Sequence, residues 1–357
     1  MLTAAGCHER RMRLLERLVP TQPIVMADPV HLRYFANFHV EALSQVADFG
    51  GLLVLHPTGH TDLFHDSKLP RGVESARVDE RIPVTWYTGE EPGRGPRGTV
   101  LREILGGHGG RIHDSLADPD APQLYQVIGE LRRQKDPDEV ELLKVCMRAG
   151  EAGHAWARAN VKPGMTELDV YAGVAHAVYT ALGMWAVVYG DFAVTSGQKR
   201  GGPPTGRVLQ KGETFILDFS VVVQGYRSDF TNTLVVGGEP SSEQRRLFGL
   251  CQEALAAGEG ELRAGAKCQT VYDAIRDVFQ AAGVAEYFTT HAGHGLGLSH
   301  PEAPFIVRRS SETLLCGDVV TLEPGLYVGD NGIRIEHNYL ITETGCERLS
   351  HHALALA

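Results

Sequence analysis

Apolar positions three and four apart mark the first segment: RRMRLLERL (10–18) predicts a short amphipathic helix. GLLVLH (51–56) is a compact apolar run and predicts a buried strand. Up to about residue 120 such runs alternate with Gly/Pro breaks, and ADPDAPQ (117–123), with its two prolines and two aspartates, predicts an exposed linker. A long helical stretch follows. In KDPDEVELL, Asp136 is suited to cap the helix, Pro137 occupies the first turn, and Glu139 completes a capping box. The helix should end near Asn160, ahead of KPG.

Beyond that helix the pattern repeats. PGMTELDVYAGVAHAVYTALG (163–183) and AGAKCQTVYDAIRDVFQAAG (264–283) both place Val-Tyr six and seven residues after a Gly and close on Gly. Each predicts a capped amphipathic helix, with Thr166 and Thr270 as the expected N-caps. Strand-like blocks come next in both cases. GETFILD (212–218) and GDVVTLE (317–323) run from Gly-acid to a second carboxylate six residues after the Gly. Each then turns, through QGY or GDNG, into SDFTNTLVV or GIRIEHNYLIT. Matching order of helix and hairpin predicts a duplicated half-domain, hence an α/β (α+β) architecture with pseudo-twofold halves.

Composition narrows the picture mainly by exclusion. A chain of 357 residues has room for two domains, and 43% hydrophobic with 22% charged residues is ordinary for a globular protein. The formal charge of −10 disfavours nucleic acid and anionic membrane as partners. Six scattered cysteines without CxxC spacing read as reduced thiols, and no apolar run reaches membrane-span length. The N-terminal MLTAAGC lacks the flanks of a leader, and a cytoplasmic location is expected.

The chemistry lies in the hairpins. If Gln224-Gly225 forms a two-residue turn, Asp218 lies opposite Thr231 and Asp229 is its diagonal neighbour on the same face. Two buried carboxylates side by side repel and lose hydration, so they call for a cation between them. Glu323 and Glu336 are expected at equivalent places in the second hairpin. Four such groups exceed the need of one divalent ion and suit two ions about 3.5–4 Å apart sharing a water. His294, in HAGHGLGLSHPEAPF (291–305), is flanked by glycines that permit close approach. Singly, a strand Asp is usually solvated and a His in a Gly-rich loop is usually a turn residue; the conjunction points to a cation site.

The sequences LDFSVVVQGYRSDFTNT, GHGLGL…PEAP, TLEPGLY and GIRIEHNYLIT together resemble the pita-bread metallopeptidase family. That family includes Xaa-Pro dipeptidase (prolidase), aminopeptidase P, methionine aminopeptidase and the metal-free creatinase. The resemblance implies a creatinase-like N-terminal domain over 1–122 and a pita-bread catalytic domain over 123–357. DPVHLRYFANF carries the former and LRRQKDPDEVELL resembles the entry helix of the latter. It further implies two divalent ions (Mn, Co or Zn) held by Asp218, Asp229, His294, Glu323 and Glu336. Asp229 and Glu336 would bridge, Asp218 would serve one ion and His294 the other, and Glu323 would also accept the water's proton. A homodimer and a small proline-containing peptide substrate are the implied partners.

Several places depart from the family pattern. A histidine usual seven residues after the metal histidine is Pro301 here, with His300 one residue early; Pro301 interrupts strand regularity, so His300 can still turn inward. The histidine usual seventeen residues before the first Asp is Gly201, the arginine of the family TRT is Asn232, and a glycine is Ser220. His291, His300 and Tyr226 are candidate replacements in catalysis or substrate binding. Arg334, two residues before Glu336 and so on its face, is expected either to clamp a substrate carboxylate or to neutralise a ligand carboxylate. The expected function is Xaa-Pro dipeptidase; the alternatives are aminopeptidase P action on longer peptides and a catalytically silent binding protein.

Overall fold

Short apolar runs early in the chain become strands of one sheet, while the capped periodic stretches become long helices farther on. The computed structural model describes residues 1–39, 50–68, 70–85, 88–93, 95, 97–106 and 121–357. It divides into Met1–Arg132 and Arg133–Ala357.

The first unit runs α1 (Ala4–Leu18), β1 (Ile24–Met26), α2 (Pro29–Ala36), β2 (Gly51–Leu55), β3 (Thr61–Asp66), α3 (Pro70–Glu74), β4 (Glu80–Val84), α4 (Arg97–Leu105) and α5 (Ala121–Arg133). Its sheet has the order β1-β2-β3-β4, antiparallel except for the parallel β3–β4 pair. Val25, Leu52, Val54, Phe64 and Val100 form its buried cluster. The expected linker lies largely outside the described residues, and Ala121–Gln123 open α5. The division between the units falls at the end of α5, beyond the boundary expected after residue 122.

The second unit contains α6 (Pro137–Asn160), α7 (Glu167–Leu182), β5 (Val187–Val194), β6 (Thr214–Val223), β7 (Tyr226–Arg227) and β8 (Phe230–Val235). It continues with α8 (Ser242–Glu261), α9 (Cys268–Ala281), β9 (Gly293–Gly295), β10 (Glu302–Ile306), β11 (Val319–Leu322), β12 (Gly325–Val328), β13 (Asn331–Arg334), β14 (His337–Ile341) and β15 (Cys346–Arg348). One sheet pairs β6 with β5, β7 and β8; a second has the order β10-β9-β11-β14-β15; β12 and β13 form a ribbon. Leu247, Cys251 and Leu255 of α8 and Val271, Ile275 and Phe279 of α9 are buried with Leu322, Ile333 and Ile335. Each such apolar side chain contributes about 1.5–3 kcal/mol by leaving water. The strands that carry the carboxylates are thereby backed by a packed layer.

The capping signals at Asp136 and Thr166 hold, whereas α1 begins at Ala4, ahead of the 10–18 run, and the signal at Thr270 fails. Asp136 N donates to Glu139 Oε2 at 3.0 Å, and Thr166 Oγ1 accepts from Asp169 N at 3.0 Å. Thr270, however, lies inside α9, whose N-cap is Lys267. Thr166 sits in a lone β-bridge with Val208, and Lys267 sits in the corresponding bridge with Thr313. Backbone pairing, not the threonine hydroxyl, sets where the second helix begins. No helix among the described residues is long and apolar enough to cross a membrane.

Candidate metal centre

Gln224 and Gly225, with φ of 51° and 91°, form the turn between Val223 and Tyr226, which pair with each other. The register pairs Asp218 with Thr231, as expected from the two-residue turn. Its continuation past Phe219–Phe230 sets Asp229 opposite Ser220, so Asp218, Ser220, Asp229 and Thr231 share one face.

The second hairpin is not an exact copy. Its register pairs Leu322 with His337 and Gly325 with Arg334, which sets Glu323 directly opposite Glu336. Glu336 therefore matches Thr231, not Asp229, in the first hairpin. The two halves meet there: Thr231 Oγ1 donates to Glu336 Oε2 at 2.6 Å.

Three groups of ligand atoms converge, each within 4.8 Å: Asp218, Asp229 and Glu336; His291, His294 and Glu323; Asp229, His294 and His300. His294 Nε2 lies 3.6 Å from Asp229 Oδ2 and 3.5 Å from Glu323 Oε1. Its Nδ1 donates to Gly295 O at 3.0 Å, which turns Nε2 toward the carboxylates. The glycines beside it answer to their strand neighbours. A Cβ on Gly293 would stand 2.0 Å from Thr321 O, and one on Gly295 would stand 2.1 Å from Ala303 O. Close packing of β9 between β10 and β11 thus demands them.

The carboxylates are driven apart electrostatically. Burial, and the negative charge of Asp229, Glu323 and Asp218, push Glu336 well above the usual carboxylate range against the Thr231 hydrogen bond. Its Oε1 is buried without a hydrogen-bond partner. Burial likewise pushes Asp218 up to about 7, with Arg334 opposing and Asp229 and Glu323 adding to the rise. Glu323 goes the other way: burial would raise it, but the His291 hydrogen bond and the charges of His291, His294 and Arg334 hold it low. An orphaned buried oxygen beside crowded oxygen donors and one imidazole fits divalent cations.

Beside this cluster is a cavity of ≈ 210 Å³ lined by Tyr189, Asp191, His291, His300 and Arg334 together with Asp218, Asp229, His294 and Glu323. His291 Nε2 lies 2.9 Å from Glu323 Oε1, and that hydrogen bond raises its pKa above the ordinary value. His300 does turn inward, with Nε2 2.6 Å from Asp229 Oδ2. Burial alone would lower its pKa, but Asp229, by hydrogen bond and charge, turns the balance upward. The loop that carries it is anchored from below. Lys135 Nζ lies 2.6 Å from Glu302 Oε1, and Glu302 Oε2 accepts from Ser299 N at 3.2 Å.

One expectation needs correction. Tyr226 is fully buried and its hydroxyl donates to Glu139 Oε1 at 2.8 Å, so it faces α6 and not the cavity. Arg334 is already engaged by two carboxylates, Asp218 Oδ2 at 2.7 Å and Asp191 Oδ2 at 3.0 Å. Of its two expected roles it takes the neutralising one in this structure. The departure at Asn232 lies off the site face, where its amide pairs with Ala355 O at 2.8 Å.

Sequence reasoning missed Asp191 and Tyr189, which no carboxylate spacing flagged. Asp191 pairs with Asp218 across β5–β6, and this neighbour relation becomes visible only once β5 is placed. It also missed three imidazoles on the far side of β8. Ring centroids lie 4.6 Å apart for His154–His352 and 4.7 Å apart for His337–His352.

Among known proteins, the model of metallopeptidase family M24 matches residues 141–343. An uncharacterized peptidase of Staphylococcus haemolyticus is 32% identical over 237 residues, 64% of this chain and 65% of that protein. The probable dipeptidase PepE of Mycobacterium tuberculosis is 35% identical over 224 residues, 61% of this chain and 59% of that protein. The chain thus spans less than two thirds of the length of either. Among solved structures, an Xaa-Pro dipeptidase from Bacillus anthracis has a TM-score of 0.80 at 23% identity, over 98% of this chain and 99% of that one. Dipeptidase PepE from Mycobacterium ulcerans has a TM-score of 0.75 at 25% identity, over 99% of each chain. The fold is the two-domain pita-bread architecture.

Proposed function

We propose a function from the premise that the chain belongs to metallopeptidase family M24: it is a metal-dependent Xaa-Pro dipeptidase that hydrolyses the bond before a C-terminal proline. The observation that carries the reading is the convergence of Asp218, Asp229, Glu323 and Glu336 with His294 beside one cavity. Two divalent ions held by these five residues would polarise the scissile carbonyl and acidify a water. Glu323 is the proton carrier. Its carboxylate is held ionised by His291, ready to take a proton from the attacking water and pass it to the leaving amine. His300 and His291 line the cavity and supply donors for the oxygen that gains charge as the carbonyl becomes tetrahedral. Arg334 offsets the carboxylate excess at Asp218 and Asp191.

The similarity to an Xaa-Pro dipeptidase from Bacillus anthracis, to dipeptidase PepE from Mycobacterium ulcerans and to the probable dipeptidase PepE of Mycobacterium tuberculosis supports a small-peptide substrate. A second reading, aminopeptidase action on longer peptides with proline in second place, is favoured by the engagement of Arg334, which leaves the site without that clamp for a nearby C-terminal carboxylate. Rates on Gly-Pro and Gly-Pro-Pro, with chelator and after adding Mn²⁺, Co²⁺ or Zn²⁺, test both. Metal-restored cleavage of Gly-Pro over Gly-Pro-Pro supports the dipeptidase, and the reverse preference supports the aminopeptidase. No turnover of either by metal-replete protein would leave the silent binding protein.

A further inference from the structure

His300 reaches the cavity from a connection, not from a strand. The ladder between β9 and β10 pairs Gly295 with Glu302, so residues 296–301 between them are held by other means. Its imidazole contact is with Asp229, a candidate metal ligand, and an ion bound there would draw on the same carboxylate. Something else has to fix the loop. Arg227, two residues before Asp229, does so with three hydrogen bonds. Its backbone N donates to Gly297 O at 3.2 Å, its Nη2 donates to Leu298 O at 3.1 Å, and its Nη1 donates to the Tyr189 hydroxyl at 2.8 Å. One side chain thus ties β5 to the loop. Tyr189 and His300 both line the cavity, their rings edge-to-face with centroids 6.5 Å apart, and Arg227 bonds to this wall without being part of it. A second anchor completes the arrangement. Leu298 lies two residues before His300 and is held by Arg227; Glu302 lies two residues after it and is held by Lys135.

We infer that Arg227 is a positioning residue: by latching the Tyr189 hydroxyl to the Leu298 carbonyl, it keeps His300 at the cavity wall. The latch itself follows from the bonds above, and its effect on turnover rests on the role given to His300 under the proposed function. The need for it is particular to this chain. A histidine one residue early in a regular strand would face the wrong way, and Pro301 gives up strand pairing to let it turn inward. Bonds from outside the ladder then replace the lost register. A guanidinium suits the task because its planar fork presents two donors at fixed separation to two acceptors, which an ammonium on a flexible stem does not. Tyr189 is 37% exposed, so water could serve its hydroxyl; the bond to Arg227 fixes the ring where solvent would leave it free.

The test uses full-length, metal-loaded protein and whichever of Gly-Pro and Gly-Pro-Pro is cleaved faster. Arg227→Met should lower kcat about 10- to 100-fold, the scale of a small misplacement of a catalytic group, with KM and bound metal per chain nearly unchanged. Arg227→Lys should retain part of the rate, and Tyr189→Phe, which removes one acceptor at an exposed side chain, should lose less than Arg227→Met. In a His300→Ala background, Arg227→Met should change kcat by less than about threefold; a full additive loss would show that Arg227 does not act through His300 and overturns the assignment. Hydrogen exchange of the 296–300 segment, read by mass spectrometry, tests the latch without turnover. It should speed up about tenfold or more in Arg227→Met and less in Tyr189→Phe, while β11 and β14 keep their protection. Unchanged exchange in both variants overturns the latch. Should Arg227→Met fail to fold, Arg227→Lys and Tyr189→Phe decide by the same readouts. If wild-type protein cleaves neither peptide, the peptidase reading fails, and exchange alone upholds or overturns the latch.

Discussion

Asp218 makes a sharp prediction about the metal-free protein. Its carboxyl is raised from 3.8 to about 7, chiefly by burial. A folded-state pKa above the unfolded one means the folded protein holds a proton that the unfolded chain releases. The stability this gives is full below about pH 4 and is lost as pH rises through 7. At about 1.4 kcal/mol per pH unit the whole loss is roughly 4 kcal/mol, of which about 3 falls between pH 5 and pH 8. The raw stability curve will not display it, because buried imidazoles pull the opposite way. Burial lowers His352 to about 4 and His337 to about 2, and lowers His154 as well. Groups with depressed folded pKa lose stability as pH falls below 6.5, by as much as about 2 kcal/mol each at pH 5.

The difference between wild type and Asp218→Asn cancels the imidazoles. Urea unfolding in EDTA at pH 5, 6, 7 and 8 should show the variant gaining about 3 kcal/mol on the wild type across that range. Tryptophan fluorescence is a suitable probe, since Trp156 and Trp185 both lie in the second unit. Saturating Mn²⁺ should flatten the wild-type contribution, because a divalent cation stabilises the ionised carboxylate. A wild-type-minus-variant difference that stays constant within about 1 kcal/mol from pH 5 to pH 8 would refute the reasoning.

Three further outcomes are expected. Glu323→Gln should cut kcat on an Xaa-Pro dipeptide by about 10²- to 10⁴-fold, the range of a lost acid–base group, and unchanged turnover in Glu323→Ala would reject the proton role. His300→Ala should lower kcat by about 10²- to 10³-fold with little change in bound metal per chain, read by elemental analysis; a parallel loss of metal would instead make His300 a ligand. Gly201→Ala puts a Cβ 1.8 Å from Asp191 Oδ2, so Asp191 must move: a melting scan should register a loss of about 1–3 kcal/mol, and an unchanged melting temperature would show that the clash is relieved without cost.

What could be read from the chain and what could not divide along physical lines. The Gln224-Gly225 turn fixes register locally, so the Asp218–Thr231 pairing followed from a two-residue count. Capping boxes are also local, and they located α6 and α7. Thr270 misled because a cap residue competes with tertiary pairing, and the Lys267–Thr313 bridge won. Asp191 was invisible for a related reason. Its importance depends on which strand lies beside β6, a contact between residues 27 positions apart that no spacing rule encodes. Tyr226 shows the converse error: an aromatic next to a ligand strand looked available, but its face of the sheet packs on α6, where Glu139 takes its hydroxyl.

The unequal hairpins explain how so much negative charge is tolerated. An exact duplication would place a carboxylate at 231, directly opposite Asp218, as Glu336 stands opposite Glu323. The first half carries its second acid at Asp229 instead, two pairs nearer the turn on the same face, and presents a neutral hydroxyl at Thr231. That hydroxyl donates to Glu336 Oε2, so the cross-half contact is an attraction between donor and acceptor where strict symmetry would set two acids face to face. The departure also leaves Glu336 Oε1 buried and unpartnered, available to a cation. The same asymmetry therefore relieves repulsion on one oxygen of Glu336 and leaves the other open to the proposed metal. A buried acceptor without a donor costs about 1–3 kcal/mol, a cost that bound divalent ions would reverse, so metal loading and folding of the second unit should be linked through this one side chain.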